Sequence, residues 1–272
     1  MEVLKILYEP SVGWYTASIV LGLIRLTILI TMSPFLGGGT LSGQLKAGLI
    51  FSFALILAPV WIEQVPFDSP LNVSHLPLLI GLALKELALG FILTWAVALV
   101  FYMAMSAGFI MDNQRGATMA SEQDPYLAEE TSPLGSLFFQ SLVYVFFVGG
   151  GLMTFLPLFF DSYVIWPVLS FWPNLASQKF VLFALNLADW LMLNAVLVAG
   201  PLAAVCLLTD AALGLINRFA SQLNVYVLAM PIKSAITMFI LVSYYLTFLR
   251  LSPGFWTEMF QKTPLLRLIL LD

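Results

Sequence analysis

The stretch "LALGFILTWAVALVFYMAMSAGFIM", Leu87 to Met111, runs for 25 residues without a charge. It begins directly after Lys85 and Glu86 and stops at Asp112. A helix needs about 20 apolar residues to cross a hydrocarbon core ~30 Å thick, so this block is long enough to span. It lacks the strict apolar–polar alternation of a barrel strand, and lipid admits only helices or closed barrels. Working outward, Leu134 to Phe160 gives 27 more uncharged residues. Further apolar blocks are Trp14 to Leu36 (broken by Arg25), Ala47 to Ile62, Trp190 to Thr209, and Val225 to Leu249 (broken by Lys233). The expected fold is an all-α polytopic integral membrane protein. Its six apolar segments become about six to eight hydrophobic helices once Gly and Pro break some into hairpins.

Composition agrees. The 272 residues are 61% hydrophobic and 10% charged, whereas a soluble domain carries roughly 25% charged residues. Mean hydropathy is +0.97. The net charge of -4 offers no basic patch, which argues against nucleic acid as a partner. The first 13 residues lack the form of a secretory signal, since the apolar run after them is long and ends in Pro34 and glycines. Arg250, Lys262 and Arg267 follow the last block and favour a cytoplasmic C-terminus. The 272 residues read as one membrane domain with no soluble appendage.

Glycine triplets stand at Gly37 to Gly39 and at Gly149 to Gly151. The first follows Pro34 and ends a helix. The second lies inside an apolar run, where each glycine costs about 1 kcal/mol of helix propensity relative to alanine. It serves either close helix packing or a break into a hairpin, and Pro157 just beyond supports the break.

Chemistry is scarce. One histidine, His75, and one cysteine, Cys206, cannot assemble a zinc site or a Cys–His nucleophile, and an internal disulfide is impossible. No HExxH, GxSxG or Walker-type motif occurs, so neither cofactor nor metal is expected. Asp189 and Asp210 lie in apolar surroundings but lack the sequence context of an aspartyl protease. The expectation is a protein that is not an enzyme.

Polar residues concentrate in two places. Asp112 to Pro133 is the longest polar connection and holds six charged residues. The other is "LLTDAALGLINRFASQLNVYVLAMPIKS", Leu207 to Ser234, with Asp210, Asn217, Arg218, Gln222, Asn224 and Lys233 among apolar neighbours. At 100° per residue, Asp210, Gly214, Asn217, Ser221 and Asn224 fall within an arc of roughly 80° on one continuous helix. Leu208, Leu215, Ile216, Phe219 and Leu223 take the opposite side. Such a stripe faces a bundle interior, a pore or another subunit. A helix lying at the bilayer surface shows the same pattern. Asp210 and Arg218, eight residues apart, are too distant to pair along a helix and must find partners on another segment or subunit. Lys233 follows Pro231, whose ring frees a backbone carbonyl that a cation at a helix end would favour. Lys85 and Glu86 project about 100° apart and are expected to serve different neighbours.

The segment "ALGLINRFASQLNVYVLAMPIKS" resembles the export-apparatus family that includes FliR of flagella and SctT (YscT, SpaR) of injectisomes. "GFIMDNQRGA", from Gly108, with "DPYLAEETSPLG", from Asp124, resembles the family's central motif. "PFLGGGTLSGQLKAGLIFSFAL", from Pro34, resembles its first hairpin. The likeness runs from about Trp14 to Leu249, with three separated matches in order. "DNQRG" and "MPIKS" favour the injectisome branch. Relatives commonly carry proline where this chain has Ser221, and serine lets a helix continue.

What the resemblance implies is a core subunit of the type III secretion export gate, in the bacterial inner membrane. It implies assembly with other export-apparatus membrane subunits (SctR/FliP-like, SctS/FliQ-like and SctU/FlhB-like) into a helical hetero-oligomer, much of it outside the bilayer plane. It implies that secreted unfolded proteins pass through that assembly. It also implies a pore plug in the central loop, with Asp112, Gln114, Arg115, Met119, Asp124 and Pro125 as its gate residues. Asp210, Asn217, Arg218, Gln222, Asn224 and Lys233 then become subunit-interface residues. The main rival is a small-solute transporter, whose broken helices and intramembrane charges look alike. Against it, the halves show no inverted repeat, and the charges are spread over different segments.

Overall fold

In a computed structural model, residues 10–37, 41–65, 75–117, 132–170, 178–219 and 225–262 are described. Those residues form seven helices: α1 (Pro10–Met32), α2 (Gly43–Glu63), α3 (Leu76–Arg115), α4 (Pro133–Val148), α5 (Gly151–Ile165), α6 (Gln178–Phe219) and α7 (Val225–Lys262). Five are long and apolar enough to cross a membrane, or up to six spans if the bent pair α4 and α5 counts as one. The chain is an all-helical polytopic membrane protein. Three helices are much longer than a span needs. At about 1.5 Å per residue, the 40 residues of α3 and the 42 of α6 extend ~60 Å, twice a hydrocarbon core.

The chain divides into two compact units. The first comprises Met1–Ala98, Leu152–Phe183 and Phe260–Asp272. Its packing begins where side chains are smallest. A Cβ on Gly22 would strike the Trp61 indole, so α1 and α2 approach closely there. Ser18 donates to the carbonyl of Trp61 at 2.7 Å, which satisfies one of the last carbonyls of α2. At Gly90 a Cβ would sit 3.2 Å from the Arg25 backbone, bringing α1 against α3. Aromatic edges fill the rest: Trp61 meets Tyr163 at 5.5 Å, and Phe35 meets Phe155 at 5.5 Å.

The second unit comprises Leu99–Gly151 and Ala184–Met259. Phe138 lies 4.5 Å from Phe248, and Phe146 lies 5.7 Å from Trp256. The glycine run at 149–151 serves both purposes considered above. Helix α4 ends at Val148, and Gly150 takes φ +74, a conformation that side chains resist. A Cβ on Gly149 would also press on Trp256, and one on Gly151 would enter the Phe146 ring.

One expectation is overturned. The stretch Leu207 to Ser234 is two helices, not one: α6 stops at Phe219 and α7 starts at Val225. The contacts between them prove the reversal. The Tyr244 hydroxyl donates to the Val198 carbonyl at 2.7 Å, 46 residues away, and Cys206 lies 3.2 Å from the Thr237 hydroxyl, 31 away. On one continuous helix those partners would be about 69 and 46 Å apart. Ser221 itself lies outside the described residues.

The close crossing of α3 and α4 depends on glycine. A Cβ on Gly108 would overlap the backbone of Leu134 and Gly135, whereas Gly48 on α2 has open space. Gly108→Ala should therefore lower stability by about 1–3 kcal/mol. Gly48→Ala should be neutral or slightly stabilising, by up to ~1 kcal/mol. Thermal unfolding of both variants in detergent checks this, and equal midpoints would refute the close crossing.

Candidate functional site

Asp112 is fully buried near the end of α3 and receives hydrogen bonds from both sides of the polar connection. Arg115, one turn on, gives it an Nε bond at 2.7 Å and a second guanidinium contact at 2.7 Å. From the other side, the Ser132 hydroxyl donates at 2.6 Å and the Leu134 amide at 2.9 Å. Ser132 is the N-cap of α4, accepting from the Gly135 amide at 2.9 Å, and Pro133 follows as the first helical residue. A carboxylate at a helix N-terminus is favoured by the free amides and the dipole. The result is a clasp joining residues 20 and 22 positions apart. Gly116, φ +82, ends α3 in the left-handed turn common after helices. Gln114 is partly buried beside the clasp. Met119, Asp124 and Pro125 lie outside the described residues.

Of the second set, Asp210 and Lys233 come together, with Nζ to carboxylate distances of 3.0 and 3.1 Å. Asp210 thus finds its partner within the chain, across the α6–α7 reversal. The expectation that Lys233 serves a freed carbonyl at a helix end is corrected: it lies in the third turn of α7, past the positive N-terminal end, and its amine faces a carboxylate. The Asp210 side chain is 43% exposed, so the pair is worth no more than about 1 kcal/mol. Asn217 and Arg218 are exposed at the end of α6, and Arg218 has no ion-pair partner among the described residues. Gln222 and Asn224 lie outside the described residues. Around this end Leu208 is 70% and Phe219 is 89% exposed, so these two members of the apolar side are left uncovered by the described residues.

A third cluster escaped sequence reasoning. Arg25, Lys85 and Glu86 are all buried and meet at one point. Glu86 accepts from Arg25 Nε at 2.7 Å and from its second terminal nitrogen at 2.9 Å, and it pairs with Lys85 at 2.7 Å. Lys85 and Glu86 do serve different neighbours, the corner carbonyls and Arg25, but they also pair with each other, because the lysine stem is long enough to bend its amine back to the adjacent carboxylate. The spread of charges over different segments misled, since α1 and α3 bring theirs together. The remaining donors fasten the corner after α5. Arg25 bonds the carbonyls of Ser162 (2.9 Å) and Trp166 (3.1 Å), and Lys85 bonds those of Pro167 (2.9 Å), Val168 (2.8 Å) and Ser170 (3.2 Å). Tyr163 covers the guanidinium at 4.4 Å. The available signal was opposite charge in two separate apolar blocks, a combination that membranes tolerate when paired.

The sequence model of the family described as bacterial export proteins, family 1, matches residues 16–261. The chain belongs to this family. It is similar to Yop proteins translocation protein T of Yersinia pestis, at 43% identity over 217 residues, 80% of each chain. Similarity to surface presentation of antigens protein SpaR of Salmonella typhimurium is 31% over 230 residues, 84% of this chain and 83% of that one. Flagellar biosynthetic protein FliR of Bacillus subtilis is 24% identical over 220 residues, 80% of this chain and 82% of its own length.

All three clusters fall inside the matched region of this export protein. Identity is higher to Yop proteins translocation protein T and to SpaR than to FliR, in agreement with the injectisome-type motifs. A multi-pass membrane protein of a protein-export apparatus is the coarse identity that follows.

The two carboxylates should behave differently. Asp112→Ala leaves Arg115 buried without compensation and frees a buried amide, at a cost of about 3–5 kcal/mol. Asp210→Ala should cost under ~1 kcal/mol in the isolated chain. Unfolding midpoints of the two purified variants in detergent test this, and a larger loss for Asp210→Ala would contradict the burial argument.

Proposed function

We infer that this chain is a non-enzymatic core subunit of a type III secretion export gate in the bacterial inner membrane. With other export-apparatus membrane subunits (SctR/FliP-like, SctS/FliQ-like and SctU/FlhB-like) it forms the channel that admits unfolded protein substrates. Residues 1–272 act as one export-apparatus membrane domain. Similarity to translocation and flagellar proteins over four-fifths of the chain is the observation that carries the reading. Two physical features support it. Helices near 60 Å cannot be contained within a ~30 Å hydrocarbon layer, so part of each lies outside it. Helices α2 and α7 are apolar, yet only 11% of the most apolar window in each is buried by the chain, leaving faces for other molecules to cover.

In this reading the connection between α3 and α4 is the pore plug. The Asp112–Arg115–Ser132 clasp fixes its base, and Gln114, Met119, Asp124 and Pro125 belong to the gate. Asp210, Asn217, Arg218, Gln222, Asn224 and Lys233 belong to a subunit interface. The exposed Arg218, without an ion-pair partner among the described residues, gains one when a neighbouring subunit covers the end of α6.

Purification of the tagged chain from its native membrane should bring down other small membrane proteins in fixed proportion. A lone, monodisperse chain that binds a solute would instead establish the transporter. Arg218→Ala should abolish both assembled complex on native gels and secretion, while Arg218→Lys should keep part of both. Equal yields for wild type and both variants would remove Arg218 from the interface. Shortening residues 118–131 should let small dyes leak through the assembled complex, and background leakage would reduce the loop to a connector.

A further inference from the structure

Asp189 takes no part in any cluster described above. It lies on α6, exposed, and makes no ion pair among the described residues. Laid out at 100° per residue, it shares one helix face with Leu185, Asn186, Leu193, Val196 and Leu197. The four apolar members are each more than half exposed, from 55% to 61%. Asn186 is exposed as well.

No simple solvent suits this face. If lipid covers it, an ionised carboxylate sits in hydrocarbon beside leucines, which is costly. If water covers it, four large apolar side chains stay wet, at a cost that grows with their exposed area. A protein surface that is apolar but carries one cation satisfies both demands. Charged groups at such positions face protein and pair with one another. We propose that the Leu185–Leu197 face of α6 is the docking surface for an apolar helix of a partner membrane subunit that places a Lys or Arg against Asp189, with Asn186 hydrogen-bonding to the same partner. This deepens the reading of the chain as an export-gate subunit and rests on it.

The test uses the full chain in its native membrane with a photoreactive phenylalanine analogue at position 193. Irradiation should join it to another membrane protein. Mass spectrometry should place the crosslink within one turn or two of a Lys or Arg on an apolar segment. Asp189→Lys should reduce that crosslink at least tenfold, and reversing the identified cation to Asp should restore it. Asp189→Asn should retain part of it. Crosslinks to lipid alone, or an undiminished crosslink in Asp189→Lys, would overturn the proposal. So would unchanged complex yield in Asp189→Leu, the outcome for a lipid-facing position. Co-purification of the unmodified chain is measured in parallel: intact co-purification without the position-193 crosslink rejects this surface alone, whereas a chain that purifies alone rejects the export-gate reading itself.

Discussion

Glu86 carries three bonds that nothing else in its surroundings could replace. It is buried in α3, holds the Arg25 guanidinium in a two-point grip, and accepts from Lys85. A buried cation without an anion costs several kcal/mol, so neither Arg25 nor Lys85 could stay where it is without this carboxylate. The two cations in turn donate to five carbonyls between Ser162 and Ser170. Those carbonyls belong to the end of α5 and the corner beyond it, where a helix leaves its last acceptors unmatched. Gln64, the C-cap of α2, bonds the same corner through the Tyr163 carbonyl and the Val168 amide. Helices α1, α2 and α3 therefore all terminate their polar demands on one short stretch. In an apolar medium that is how irregular backbone is tolerated: every group in it is met by protein.

Asp112 solves a related problem at the opposite end of α3. There the unmatched groups are amides at the start of α4, and an anion is the right complement where a cation suits the α5 corner. The helix thus carries two buried carboxylates, one in its fourth turn and one in its last, and each links stretches far apart in sequence. Their energetic weight comes from burial. Asp210 and Lys233 have the same charges and similar distances, but partial exposure reduces their pair to a surface interaction.

Helix class and number were legible because long uncharged blocks have few alternatives in lipid. The family was legible from three ordered motifs. Pairing was not. A single sequence shows that Arg25, Lys85 and Glu86 are expensive, but periodicity on α3 assigns Lys85 and Glu86 different directions. The flexibility of a lysine stem, which decides the matter, leaves no periodic trace. The α6–α7 reversal was missed for a comparable reason. The absence of proline at position 221 was read as continuity, yet helix ends are set by tertiary partners as much as by breakers. Tyr244 and Thr237 each find theirs back along α6, and those contacts exist only if the chain turns. The glycine run at 149–151 left two readings open because glycine permits both, and the structure uses both.

The apolar surface left over has a direction to it. In α3, 67% of the most apolar window is buried by the chain's own packing, and a stripe through Ile80, Leu84, Leu87 and Phe91 stays exposed. In α2, α6 and α7 far less is buried, and the latter two mix exposed leucine and phenylalanine with Asp189, Arg218 and Arg250. Lipid would accept the first kind of residue and water the second. A surface presenting both along one helix suits other protein, because a partner can offer apolar area and a matching charge at fixed spacing. On the reading proposed above, the α6–α7 hairpin is one half of an interface whose other half lies outside this chain.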